Sequence, residues 1–294
     1  MYGIVLNIII HLLLELHKNK QSVLMTVDEF FDIFLEELKE HPELRSYYRF
    51  LNKESLFEFR KAYFVQRLQY VLDQLENPSQ RIFDIGCGYG TTGIFLALNG
   101  YKVYGTTIEF YYEQIAKRFD FWSKYGNLDS FTVAYENLFD QSPTAEAYDV
   151  VIVQDVLHHL EPLDDALSII DSTLSPGGKL IACEENGDNL LNSARLYLKR
   201  GNKRVKEIYD EKLQKNILIG DENIRNIKQW TKELGKHHLE LDNSSVQYVR
   251  IYPPNIAKKK GVSQLIEKEQ KIWKQNAFAK KYFFHGVNFV ARKA

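Results

Sequence analysis

The chain has 294 residues, enough to bury a full core, with a formal net charge of −1 and 13% aromatic residues, so its overall charge exerts no pull toward nucleic acid or acidic membranes. Its basic runs are short (Lys199, Arg200, Lys203 and Arg204; Lys258 to Lys260) and read as solvated faces rather than a nucleic-acid stripe. Two cysteines, Cys87 and Cys183, make no disulfide framework, and no His/Cys cluster has metal-ligand spacing, so a reducing cytoplasm and no bound metal are expected.

In chain order, residues 2–16 are nearly all apolar but contain Asn7 and His11. The run falls short of the roughly 20 residues of a spanning helix, and no small-residue cleavage site follows it. Met25 then precedes Thr26-Val27-Asp28-Glu29, a capping box that opens a helix. The expectation is that the working protein begins near Met25 and that residues 1–24 are an upstream extension. The rival is a surface helix giving weak membrane or lipid contact. Residues 25–78 read as a helical N-terminal cap: helical spacing runs over 27–40 and 54–76, with Leu56, Tyr63, Phe64, Leu68, Val71 and Leu75 on one stripe, and Asn77-Pro78-Ser79 ends it.

From Arg81 the pattern changes. Strands are predicted at 81–85, 102–107, 130–135, 149–154 and 178–184, separated by helices at about 91–99, 110–125 and 161–174. This alternation over 79–187 implies right-handed crossovers and a parallel sheet covered on both faces. Residues 188–243 read as a charged helical insertion with no strand of its own. Residues 244–294 supply two last strands, 246–251 and 287–292, with a helix over 262–274 between them.

The most telling stretch is Phe83-Asp84-Ile85-Gly86-Cys87-Gly88-Tyr89-Gly90, a strand that turns into a helix through alternating glycines. Such a turn brings bare backbone close to a ligand. The spacing is G-x-G-x-G after an acid, not the G-x-G-x-x-G of a dinucleotide turn. It resembles the cofactor loop of class I S-adenosylmethionine (SAM) methyltransferases, and the strand order matches that family's α/β, Rossmann-like seven-stranded sheet with an antiparallel last strand. The resemblance covers about 81–185 well and 245–294 loosely.

The resemblance implies SAM as cofactor and a set of residues to hold it. Asp84 stands at the position that bonds the ammonium, and Gly86, Cys87, Gly88 and Gly90 form the turn for the amino acid end and ribose. The family's ribose carboxylate is replaced here by Thr107, and Glu109, two residues on and on the same strand face, is expected to take the diol with Thr107 assisting. Asn137 and Leu138 match the slot for the adenine amino group and ring. Val153-Gln154-Asp155-Val156-Leu157-His158-His159-Leu160 resembles the quinone-biosynthesis-like, small-molecule branch, with Gln154 and Asp155 bordering the methionine portion and His158 or His159 as general base. Methyl transfer from a sulfonium is mostly positioning and exclusion of water, so an indispensable catalytic side chain is not required.

For the acceptor, Glu184, Glu185 and Asn186 lie at the same rim. The pocket is expected from the cap (Tyr47, Tyr48, Phe59, Tyr63) and the insertion (Asn192, Arg195, Tyr197, Trp230). The leading reading is a cytoplasmic methyltransferase acting on a small molecule. The alternatives are a lipid- or quinone-directed methyltransferase and, from another class, a non-catalytic SAM-binding regulatory protein.

Overall fold

The structure, a computed structural model, describes residues 24–108, 111–140, 144–253 and 262–294. Residues 1–23, and Glu109 with them, lie outside the described residues. Helix α1 (Val27–Glu40) opens on the expected capping box: Thr26 Oγ1 accepts from the Glu29 amide at 3.2 Å while the Thr26 amide donates to Glu29 Oε2 at 2.8 Å. Helices α2 (Pro42–Tyr48) and α3 (Phe57–Asp73) complete the cap. The cap's apolar stripe (Phe30, Phe31, Phe34, Leu38) is fully buried, and Phe30 stacks on Trp122 with ring centroids 4.5 Å apart.

The sheet strands are β1 (Arg81–Ile85), β2 (Lys102–Thr107), β3 (Phe131–Tyr135), β4 (Tyr148–Gln154) and β5 (Leu174–Glu185), alternating with α4 (Thr91–Leu98), α5 (Tyr111–Trp122) and α6 (Leu163–Thr173). After β5 come α7 (Leu190–Arg200), a hairpin of β6 (Val205–Asp210) and β7 (Lys215–Gly220), α8 (Ile227–Gly235) and β8 (Leu239–Val249). The described chain then ends with α9 (Val262–Gln275), α10 (Ala277–Phe283) and β9 (Gly286–Lys293). The seven-stranded sheet runs β3-β2-β1-β4-β5-β9-β8. Strands β1 to β5 are parallel, and β9 inserts antiparallel to both β5 and β8. The near-continuous apolar strands Val150–Val153 and Leu180–Cys183 are buried because helices cover both faces. One face packs under the cap, α4 and α5, the other under α6 and α8.

The insertion departs from its all-helical reading. Strands β6 and β7 pair antiparallel in full register from Val205↔Gly220 to Asp210↔Lys215. Only Asp210, Ile217 and Gly220 of this hairpin are buried, so its lysines and glutamates, helix formers by propensity, mask a weak period-two signal. The hairpin folds back onto the sheet's carboxyl edge: Leu160 bridges Ile219, and the Gly220 amide donates to the His159 carbonyl at 2.9 Å.

Candidate functional site

A cavity of about 490 Å³ opens at the carboxyl ends of β1, β2, β3 and β4, where a parallel sheet places its ligands. Its floor is the turn between β1 and α4. Gly86 (φ +67°) has no room for a side chain, since a Cβ there would sit 2.6 Å from Val156 Cγ2. Gly88 (φ +55°) differs: a Cβ there would meet nothing within 4 Å, so the turn presents bare backbone to open space. Gly90 caps α4 at φ +71° and does not line the cavity.

Asp84 is buried at the end of β1, and its Oδ2 has no hydrogen-bond partner. Burial pushes its carboxyl up to about 7. An orphaned carboxylate beside open glycine backbone fits an ammonium-bearing amino acid group. Cys87, Thr107, Asn137, Leu138, Gln154, Asp155 and His159 line the same cavity, so the structure brings most of the predicted residues together. Thr107 is buried at the end of β2. Gln154 donates from Nε2 to Thr92 Oγ1 at 2.7 Å, which fixes its amide across the helix start.

The two histidines part ways. His158 is buried and does not line the cavity. Its Nδ1 lies 2.5 Å from Glu184 Oε2, and Glu184 Oε1 accepts from the Val156 and Leu157 amides at 3.0 and 2.8 Å. Desolvation works against its charge, but Glu184, then Asp155 and Glu222, outweigh it and raise His158 to about 9. It is an imidazolium at neutral pH, so it has no free nitrogen with which to act as the expected base. His159 faces the cavity with Nδ1 2.8 Å from the Gly220 carbonyl. A carbonyl only accepts, so Nδ1 carries the proton and Nε2 is left as the acceptor.

Asp155 adopts φ +55°, a left-handed conformation for a non-glycine residue. It pairs with Arg67 Nη1 at 2.7 Å, while the two side chains keep 49% and 37% of their surface accessible. Both line the cavity, so that surface faces its interior. Desolvation opposes the Asp155 charge, but Arg67 holds the carboxyl below its usual range.

Sequence reasoning missed Arg67, Glu136 and the hairpin's Ile217 to Ile219, all of which line the cavity. Arg67 had one signal: a cation on the α3 stripe of Phe64, Leu68 and Val71. Of the expected acceptor residues, Tyr47 and Tyr48 line this cavity, and Phe59, Tyr63, Glu184 and Glu185 line a second one. Asn192, Arg195, Tyr197 and Trp230 line neither. Trp230 is fully buried against Phe289, Tyr197 is 62% exposed, and Asn192 is tied to Glu185. Asn186 is consumed by the Lys281 and Phe284 carbonyls at 3.0 Å each.

The cap reaches the glycine turn through a buried network. Arg118 of α5 pairs with Glu37 of α1 through two 2.7 Å contacts, and its Nη1 donates to the Tyr89 carbonyl and to Thr91 Oγ1. Thr91 Oγ1 also lies 2.6 Å from the Tyr48 hydroxyl. Among the described residues, no helix is long and apolar enough to cross a membrane.

Residues 83–180 match the family model for a methyltransferase domain. Among curated proteins, the chain is 30% identical over 128 residues to a highly reducing polyketide synthase of Aspergillus niger, and 32% identical over 123 residues to one of Alternaria alternata. Each match takes in 39% of this chain and 5% of the relative, so the chain spans a small part of those proteins. Among solved structures, a putative sarcosine dimethylglycine methyltransferase from Galdieria sulphuraria aligns with TM-score 0.56 at 14% identity, over 85% of this chain and 97% of that one. Geranyl diphosphate C-methyltransferase from Streptomyces coelicolor aligns with TM-score 0.54 at 13% identity, over 81% of this chain and 85% of that one. These likenesses establish a shared fold.

Proposed function

We propose that the chain, whose residues 83–180 match a methyltransferase-domain model, is a class I S-adenosylmethionine-dependent methyltransferase that methylates a small-molecule acceptor at oxygen, nitrogen or an activated carbon. The observation that supports this is the roof of the cavity. Tyr47, Tyr48 and Phe64 of the cap close it from one side, and Ile217 to Ile219 of the hairpin from the other, leaving a chamber sized for small molecules rather than an open groove for a polymer.

When bound, S-adenosylmethionine supplies a methyl group already activated on a sulfonium. In this reading Gly86, Cys87 and Gly88 cradle its amino acid end, with Asp84 against the ammonium. Thr107 serves the ribose, Asn137 and Leu138 the adenine, and Gln154 and Asp155 border the methionine portion. His159 Nε2 is the acceptor for a proton leaving the substrate, and His158 is a fixed cation that orders the Val156–Leu157 backbone through Glu184. The aromatic and aliphatic roof excludes water, and orientation does most of the catalytic work.

The test is incubation of the purified protein with methyl-labelled SAM and a panel of phenols, amines, carboxylic acids and phosphate esters. Label should move to at least one small acceptor. Transfer only to RNA or protein would sink the reading. SAM binding without transfer to any acceptor would bring forward a non-catalytic regulatory role. A lipid-directed methyltransferase is the second reading, favoured by Leu191 and Leu198 of α7, which stand 70% and 85% exposed. Vesicle co-sedimentation that is lost in Leu191→Ser/Leu198→Ser would select it.

A further inference from the structure

A second cavity, of about 520 Å³, adjoins the first across the Arg67–Asp155 pair, and the two share Tyr47, Tyr48 and Phe64 as well. Its charges are unevenly matched. Two of the three carboxylates on its wall are matched by a cation, Asp155 by Arg67 at 2.7 Å and Glu184 by His158, while Glu185 is held by the neutral Asn192 Nδ2 at 2.7 Å and keeps its charge. Three arginines on the same wall, Arg49, Arg60 and Arg250, have no carboxylate within salt-bridge distance among the described residues. Arg60 donates to the Arg49 carbonyl, and Arg49 Nε to the Ser46 carbonyl at 3.3 Å. Carbonyl partners orient a guanidinium without neutralising it. His285, also on the wall, is pushed down by burial and then by Arg250 and Arg195, so it stays neutral and adds nothing to the excess. Apolar surface from Phe59, Tyr63 and Phe64 completes the lining.

We propose that the acceptor site extends from the first cavity into this second one, which recognises an anionic group of the acceptor, a carboxylate or a phosphate ester, through Arg49, Arg60 and Arg250. The inference rests on the methyl-transfer reading and narrows it to a substrate class. A guanidinium presents a planar fork of donors that matches carboxylate and phosphate oxygens two at a time. Three such groups around one opening repel an ammonium-bearing acceptor and hold a neutral oxygen more weakly than an anion whose charge they match. An anion held at the arginines, with its apolar part against Phe59, Tyr63 and Phe64, directs its other end toward the Arg67–Asp155 wall. Beyond that wall lie the glycine turn and His159.

The experiment is a calorimetric titration of the full chain, with and without saturating S-adenosylhomocysteine. The probes are three molecules of one shape: 4-phenylbutyrate, 4-phenylbutyl phosphate and 4-phenylbutan-1-ol. The expected result is binding of at least one anion, no measurable binding of the alcohol, and a more than tenfold loss of anion affinity in Arg60→Gln/Arg250→Gln. The charge-preserving Arg60→Lys/Arg250→Lys, which keeps the charge and loses the fork, should lose less affinity than the glutamine pair. The better-bound anion separates carboxylate from phosphate recognition. Equal binding of the alcohol, anion affinity untouched by the glutamine pair, or no binding of any probe overturns the proposal. S-adenosylhomocysteine affinity is read on the same samples. It should be unchanged in both variants, which reports an intact fold, and its absence in the unaltered chain would overturn the cofactor assignment instead.

Discussion

From Phe83 to Leu180 the site is made by glycine backbone and side chains at strand ends, whereas in the cap and the insertion it is made by side chains drawn from distant segments. In the first region these cavity residues sit at a strand's carboxyl end or just beyond it: Asp84 to Gly88 at the end of β1, Thr107 at the end of β2, Asn137 after β3, Gln154 and Asp155 at the end of β4. In the second, Tyr48, Arg67 and Ile217 are far apart in sequence and meet only because the cap and the hairpin fold over the same edge. A cofactor with fixed chemistry is served by local geometry, and an acceptor with variable chemistry by tertiary juxtaposition.

The largest expected effect breaks the joint between the two regions. Arg118 and Glu37 keep 1% and 0% of their side-chain surface exposed. Arg118→Leu would leave Glu37 charged and unpaired in the core, at a cost of about 3–5 kcal/mol in urea unfolding. Glu37→Leu/Arg118→Leu should recover much of that loss, because apolar replacement of a whole buried pair is well tolerated. A loss under ~1 kcal/mol in the single variant would mean that the cap is not held to the core by this pair.

Next in size is the backbone half alone. Gly88→Val places a branched side chain into the open space above the turn, at a φ of +55° that valine resists. Calorimetric titration should show SAM binding lost by about 100-fold or more, a change of ~3 kcal/mol, with far-ultraviolet circular dichroism unchanged. Unaltered affinity would remove the glycine turn from the site.

How much of this was legible in sequence follows the same divide. The strands from β1 to β4 fall within a residue of their predicted ends, because buried parallel strands read as apolar runs between turn signals. The residues Asp84, Gly88, Thr107, Asn137 and Asp155 could be placed because strand ends fix where a ligand lies. The hairpin was missed because its few buried positions are diluted by charged residues. Trp230 was misplaced because an aromatic in an unassigned segment has no sequence mark telling core from pocket. The charge state of His158 was illegible too, since it depends on Glu184, 26 residues away.

The Asp84 carboxyl gives a pH test of intermediate size. Raised to about 7 by burial, it keeps its proton in the ligand-free fold where the unfolded chain has lost it. Its contribution to stability is therefore intact below about pH 4 and is lost as pH rises toward 7. Asp84→Asn should raise the melting temperature at pH 8 and leave it nearly unchanged at pH 4. If the cofactor ammonium meets the carboxylate, SAM affinity should climb up to about tenfold per pH unit below 7 and level off above. A flat profile from pH 5 to 8 would mean that Asp84 does not face the ammonium.

The smallest effect sharpens how the cap touches the cofactor side. Tyr48 lines both cavities, and burial pushes its hydroxyl up to about 12, so it stays neutral. That hydroxyl meets Thr91 Oγ1 at 2.6 Å, where Arg118 already donates at 2.6 Å. Tyr48→Phe keeps the ring and removes one hydrogen bond between cap and turn, so unfolding should show a loss of about 1 kcal/mol. SAM affinity should fall less than threefold, because Arg118 still holds Thr91 and the Tyr89 carbonyl in place. A tenfold or larger loss of affinity with unchanged stability would give the hydroxyl a direct contact with the cofactor. The boundary between the two regions would then run through α2 rather than between the cap and the sheet.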